Sequence, residues 1–489
     1  MIPISRSRKW DKALESLREN IALKTAARGA DIVLSAVEQQ MGIGTGSRVV
    51  MFGRKHTGYR SLLLSYQKEL LDRMIQERQS VPVETKQAGT PPRPNKQPEN
   101  LLTLIGKSTW PLKTNSRKVL EGDTMTPRER VERHVRFDSP DRVAVAPLLG
   151  FHTAGAGGVA LNDFMKSGHA AASAAVTTWN IYGGFDMMPF HFPMNYAFPV
   201  MPEAHSRFYS EWIMPTGDEL PKLDEKPLLA CYEQVAEEGF SPLLRTEQGN
   251  LLAESAAMLL ESALFYSEMS VLFPGQSDYF PYSIGVINHP ADLLSMWFGF
   301  ERFMMDCVTD PLKIRESCER LAPGLVEMGI FPCKLTGINQ VLYGMSRVSP
   351  SWVSLSMFEN LFADVFRGQV ETAFNEGIQL TYHLDNDYTP ALDFFLTLPA
   401  HSGLIHFDQT DMFRAKEKLH GHLCLMGNLH PGLLAAGTPQ QVTDKCEKLI
   451  KEIGADGGFV LSSACEVPFN APVENIRAAK EAVDRWGWY

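Results

Sequence analysis

From residue 143 onward the chain alternates short apolar runs with stretches of helical spacing. The runs are VAVAPLL (143–149), FDMMPF (185–190), YSIGVIN (282–288), IFPCKL (330–335), IQLTYHL (378–384), GLIHF (403–407), LCLMGN (423–428) and GFVLSS (458–463). Helix-patterned segments stand at 310–328, 355–376 and 438–453, and at 472–485 after the last run. Apolar runs separated by helices are the pattern of parallel strands with crossovers, because a parallel sheet is covered on both faces. Eight of them predict an α/β fold, a (β/α)8 TIM barrel, with an open doubly wound sheet as the alternative. The interval 191–281 is too long for one crossover and predicts inserted helices at 226–238 and 251–273.

The barrel opens at TPRERVERHV, where Thr126 is placed as N-cap, Pro127 as first helical residue and Glu129 as the capping-box partner. Ahead of it, residues 1–78 carry amphipathic helical spacing and 79–124 read as a proline-rich linker, richest in proline and polar residues over 79–100. The expected division is a helical N-terminal extension (1–78), the linker, and a barrel domain (125–489). A formal net charge of −10 argues against a nucleic-acid partner. No apolar stretch is long enough to cross a membrane, and the basic start lacks the apolar core of a secretory signal. Seven scattered cysteines suit a reducing cytoplasm.

Chemistry in a barrel gathers at the carboxyl ends of the strands. The polar residues there are His152, His191, His289, His383 with Asp385, Asp408 with Asp411, Asn428 with His430, and Cys465 with Glu466. His383 and Asp385 stand two apart, so an extended backbone projects both from one face. Histidine, carboxylate and thiolate are ligand types of zinc, whose catalytic sites keep one position open. The competing reading is ordinary polar loop chemistry, with Asp385 on a backbone amide and Cys465 as a small buried hydrophobe. The glycine run AGAGG (154–158) has no phosphate-loop context and reads as a flexible turn. The Met- and aromatic-rich stretch 185–202 reads either as core or as the apolar wall of a pocket mouth.

The C-terminal third resembles the uroporphyrinogen decarboxylase-like superfamily. LCLMGNLHPGLLAAGTPQQVTDKCEKLI and GGFVLSSACEVPFNAPVENIRAAKEAV carry the likeness, supported by DPLKIRESCERL, SRVSPSWVSLSMFENLF and HSGLIHFDQTDMFRAKEKLHG. It covers roughly 125–487, and the nearer branch is that of the corrinoid-dependent methyltransferases. The resemblance implies a TIM barrel and a zinc held by a His-x-Cys pair and a later cysteine. His383 and Cys465 match two of these positions, and Asp385 stands where the second cysteine is expected. An oxygen in place of a sulfur makes a harder site, less suited to a thiol acceptor. The decarboxylase branch carries arginine in the loop after the first strand to meet a polycarboxylate substrate. Here that loop is GFHTAGAGG, without a cation, which speaks against a tetrapyrrole.

The expected function is a zinc-dependent methyltransferase, moving methyl between a small methylated or aromatic compound and a corrinoid (cobalamin) on a partner protein. No cobalt-ligand motif of the Asp-x-His-x-x-Gly type is found in the chain. His383, Asp385 and Cys465 would hold the metal, with Glu466 and Asp408 handling a proton. Asn428 and His152 are the candidates for cofactor contact, and a homo-oligomer is an expected assembly. The alternatives are a metal-free decarboxylase or lyase acting on a small acid, and a non-catalytic binding protein that kept the barrel.

Overall fold

The computed structural model describes residues 118–188, 265, 269, 278–336 and 338–489. The expected extension, the linker up to residue 117, the inserted helices (Phe265 and Met269 apart), His191 and residues 189–202 lie outside the described residues. The strands are β1 (Ala144–Val145), β2 (Met187–Met188), β3 (Phe280–Pro281), β4 (Val286–Asn288), β5 (Gln340–Met345), β6 (Gln379–Leu384), β7 (Gly403–Phe407), β8 (Cys424–Leu429) and β9 (Phe459–Ser463). Seven pair in the order β1-β9-β8-β7-β6-β5-β4, and β2 pairs with β3, all parallel.

Two backbone contacts close the ring. The Asp186 amide donates to the Val145 carbonyl at 2.9 Å, joining β1 to β2. Residues 280–288 form one interrupted strand: β3 pairs with β2, while Ile284 N–H reaches the Gln340 carbonyl at 3.1 Å and β4 pairs with β5. Eight strand positions in circular order, each parallel to the next, make the expected TIM barrel. Ala144, Ala146, Leu342, Leu404, Cys424, Met426 and Val460 fill its interior.

The predicted strand at 330–335 is a correction. That segment ends the helix Pro311–Thr336, and the fourth strand is β5, a few residues later. The reason lies in its spacing: Ile314, Cys318, Leu321, Leu325, Ile330 and Cys333 are all buried, a helical stripe that an apolar hexamer read alone does not reveal. The helix approaches β4 so closely that a Cβ on Gly329 would lie 2.3 Å from Ile287 Cγ1 and 2.7 Å from the Val286 carbonyl. The glycine run is the second correction. His152–Gly157 is a short helix, and its glycines serve contact rather than flexibility, since a Cβ on Gly157 would meet the Ala174 backbone at 2.7 Å. The Thr126 capping box is present as expected.

No helix among the described residues is long and apolar enough to cross a membrane. Two buried histidines make the fold sensitive to acid. His134 donates from Nε2 to the Arg142 carbonyl and accepts the Phe459 amide at Nδ1; His289 donates to the Phe362 carbonyl and accepts the Ala291 amide. Burial pushes both from 6.5 down to about 4. A depressed histidine contributes stability above its unfolded value and loses it as pH falls toward the folded one. This pair should therefore contribute about 3–4 kcal/mol to the difference between urea unfolding at pH 7 and pH 5. It is read as the part of that difference lost when His134 and His289 are replaced, because the raised Glu466 and Asp292 carboxyls act in the opposite sense. A loss under about 1 kcal/mol would mean that water reaches the rings.

Candidate active site at the carboxyl end of the barrel

β6 carries His383, and Asp385 follows on the same face one residue beyond the strand. Cys465 stands two residues past β9, on the far side of β7 and β8. Barrel curvature brings the three together. His383 Nε2 lies 3.5 Å from Cys465 Sγ and 3.4 Å from Asp385 Oδ1, and one donor atom from each falls within 4.8 Å of the others. Three donors of N, O and S character at this spacing fit a tetrahedral zinc with one position open. Burial first, then the Asp385 and Glu466 carboxylates, hold the Cys465 thiol well above its usual range. Crowded anionic donors of this kind are relieved by a divalent cation, which deprotonates a coordinating thiol.

Glu466 follows Cys465, and its pKa is pushed up to about 7, by burial first and then by the Asp385 charge. The carboxyl occupies space that Gly150, at the end of the first strand segment, leaves open: a Cβ there would meet Glu466 Cδ at 2.6 Å. Asp408 follows β7 and is raised by burial, while its Oδ2 accepts the Asn386 amide at 3.1 Å. Asn428 donates from Nδ2 to the Asp408 and Thr410 carbonyls, both at 3.2 Å, and its Oδ1 is buried without a protein partner. Glu466 and Asp408 thus stand beside the three donors, and Asn428 holds the main chain at Asp408.

The other described strand-end residues do not join them. His152, expected to contact a cofactor, is buried with Nδ1 on the Pro468 carbonyl at 3.2 Å and Nε2 on the Tyr182 hydroxyl at 2.6 Å. Both ring nitrogens are engaged inside the protein, so the ring has no free nitrogen to offer. His289, Asp411 and His430 each cap the helix that follows their strand. Two residues that sequence reasoning passed over do belong. His406, in the middle of β7, pairs in register with His383, and their Nδ1 atoms are 3.2 Å apart. It donates from Nε2 to the Ser463 carbonyl at 2.6 Å, and the Tyr282 hydroxyl meets its Nδ1 at 2.8 Å. Burial, then the neighbouring His383, lowers His406 to about 3. The available signal was a lone histidine in the otherwise apolar run GLIHF, placed by strand alternation on the same face as Leu404.

Beside this cluster a recess is lined by Leu148, Trp179, Phe185, Met187, Met188 and Tyr282, among others, with no charged side chain among the described residues that line it. The described part of the expected apolar wall, 185–188, supplies three of those residues; 189–202 lies outside the described residues.

Residues 282–486 match the family model described as uroporphyrinogen decarboxylase (URO-D). Among curated proteins there is no match. In three dimensions the chain is similar to a methyltransferase from Methanosarcina mazei, with a TM-score of 0.55 and 15% identity, over 74% of this chain and 99% of that one. At that identity the likeness speaks for the fold, and it agrees with the ring of parallel strands. Residues 282–486 thus carry a likeness to the uroporphyrinogen decarboxylase family on a barrel of the same fold class.

Proposed function

We propose that the protein is a zinc-dependent methyltransferase that demethylates a small, neutral methylated or aromatic compound onto a corrinoid carried by a partner protein, or runs that transfer in reverse. The observation that carries this reading is the group His383, Asp385 and Cys465 at the carboxyl end of a uroporphyrinogen decarboxylase-like barrel. That the structural neighbour is a methyltransferase lends it support. Bound zinc would supply Lewis acidity at the oxygen or sulfur whose methyl bond breaks or forms.

The chain's own residues have distinct tasks. His383, Asp385 and Cys465 would hold the metal, and Asp385 makes the donor set harder than one with two thiolates. Glu466, beside Cys465 and over Gly150, would hold or release a proton at the leaving atom, and Asp408 would support it from β7. The recess would form one wall of the space that the substrate occupies. Its uncharged lining favours a neutral compound, since an unpaired charge there would lose its hydration without compensation. Six described cysteines are free, which suits a reducing compartment such as the cytoplasm.

Metal analysis of the purified full chain decides the reading, with about one zinc per chain expected. A metal-free protein that still turns over a small acid would instead be a lyase using the His383–Asp385 pair. Asp385→Cys is expected to keep the zinc and change the rate, because the altered ligand donates more charge to the metal. Loss of zinc in that variant would show that the site is not built for a second sulfur.

A further inference from the structure

The protons around His383 can be placed from neighbours that have no choice of role. The Ser463 main-chain oxygen only accepts, so the His406 nitrogen 2.6 Å from it, Nε2, carries a hydrogen. His406 is fully buried, with no carboxylate bonded to it, and an imidazole there stays neutral; its Nδ1 is therefore bare. That bare nitrogen is 3.2 Å from His383 Nδ1, and two nitrogens at this distance need one hydrogen between them. It must belong to His383. The Tyr282 hydroxyl, 2.8 Å from the same His406 Nδ1, shares the acceptor.

We propose that His406, held by Ser463 and Tyr282, is a positioning residue that fixes His383 as its Nδ1–H tautomer and leaves Nε2 bare toward Cys465 and Asp385. The bare nitrogen is the one 3.5 Å from Sγ and 3.4 Å from Oδ1, the direction from which a metal would be held. His383 and His406 face each other across adjacent strands, so the sheet register sets the distance. Liganding histidines commonly give their other N–H to an oxygen; here a second imidazole is the acceptor, and its own N–H is tied down by a main-chain carbonyl. The metal-binding consequence rests on the zinc reading above, whereas the tautomer itself does not.

The test is nitrogen NMR of the metal-free full chain labelled with 15N-histidine, recorded at about pH 9 so that neutral imidazoles are compared. His383 should show a protonated Nδ1 and a bare Nε2. In His406→Leu the acceptor is gone, and His383 should shift toward the Nε2–H form that unconstrained imidazole favours. His406→Gln offers an amide N–H to Ser463 and an oxygen to His383, and should restore the Nδ1–H form. Zinc affinity measured by chelator competition should fall about 10–100-fold in His406→Leu and largely recover in His406→Gln. A wild-type His383 protonated on Nε2 overturns the assignment without any variant having to fold. So does a tautomer unchanged in a folded His406→Leu. The expected tautomers in a protein that takes up no zinc would uphold the positioning role and refute the zinc reading alone.

Discussion

Cys465→Ala is expected to lower turnover at least about 100-fold and to strip most of the bound zinc, while leaving thermal unfolding nearly unchanged. The thiol stands past the end of β9, in a loop, half-buried, and its contact with His383 is made at the barrel rim. The barrel interior below it is filled by Leu404, Cys424, Met426 and Val460 and does not depend on it. Removing a direct ligand should exceed the 10–100-fold loss typical when a residue that merely supports a ligand is removed. Folding should respond the other way: a small side chain without a core partner costs little when truncated. Zinc content and turnover must fall together. Full activity in Cys465→Ala would remove sulfur from the site and leave His383 and Asp385 as contacts of a metal-free reaction. Unfolding that shifts strongly would instead make Cys465 a structural ligand, and the open coordination position would lose its meaning.

The sequence made the barrel legible because parallel strands announce themselves as apolar runs and their helices by stripe and cap. Seven of the eight runs overlap strands, and Thr126 capped its helix as its spacing required. The exception, 330–335, is apolar enough for a strand, and only the continuation of its stripe back to Ile314 assigns it to a helix. β5, QVLYGM, was passed over because the apolar run IFPCKL a few residues earlier took its place in the alternation. At the rim, strand alternation put His383 and Asp385 on one face, but the convergence of Cys465 depends on closure between β6 and β9, which no local pattern encodes. The false candidates share one physical cause. Each strand of a βα barrel is followed by a helix whose free N–H groups need a polar cap, so His289, Asp411 and His430 were drawn to the same positions as catalytic groups. His406 was missed for the converse reason: it is buried within a strand, where histidine passes for core.

The other large effect is expected at the seam between β1 and β2, where Asp186→Ala should destabilise the fold by about 3–5 kcal/mol through a cluster that bonds none of His383, Asp385 and Cys465. β1, β2 and β3 are two residues each, so this arc of the ring has few ladder hydrogen bonds. Asp186 sits in it. Its main chain bonds Val145 and Phe280, and its carboxylate accepts the Val145 amide at 2.7 Å. The same carboxylate takes Arg130 Nη1 at 2.6 Å and Arg142 Nη1 at 2.8 Å. Asp123 completes the group from the stretch before the first helix, 2.7 Å from Arg142 Nε and 3.0 Å from Arg130. Asp141 pairs with Arg130 at 2.6 Å. Asp186, Arg130, Arg142 and Asp123 are fully buried. Asp123 and Asp141 still pair the guanidiniums in the variant, but the Val145 amide and the arginine N–H groups that faced Asp186 lose an acceptor where water cannot replace it. Burial alone would raise the Asp186 carboxyl, yet the Arg142 and Arg130 charges hold it below the usual carboxylate range. A depressed carboxylate contributes stability above its unfolded value and loses it as pH falls further. In Asp186→Ala the acid limb of the stability profile below about pH 4 should therefore flatten, while the loss assigned to His134 and His289 between pH 6.5 and 4 remains. Urea unfolding of the variant at neutral pH gives the direct measure. A cost below about 1 kcal/mol would show that water enters the seam and that the short strands hold the ring without the buried charges.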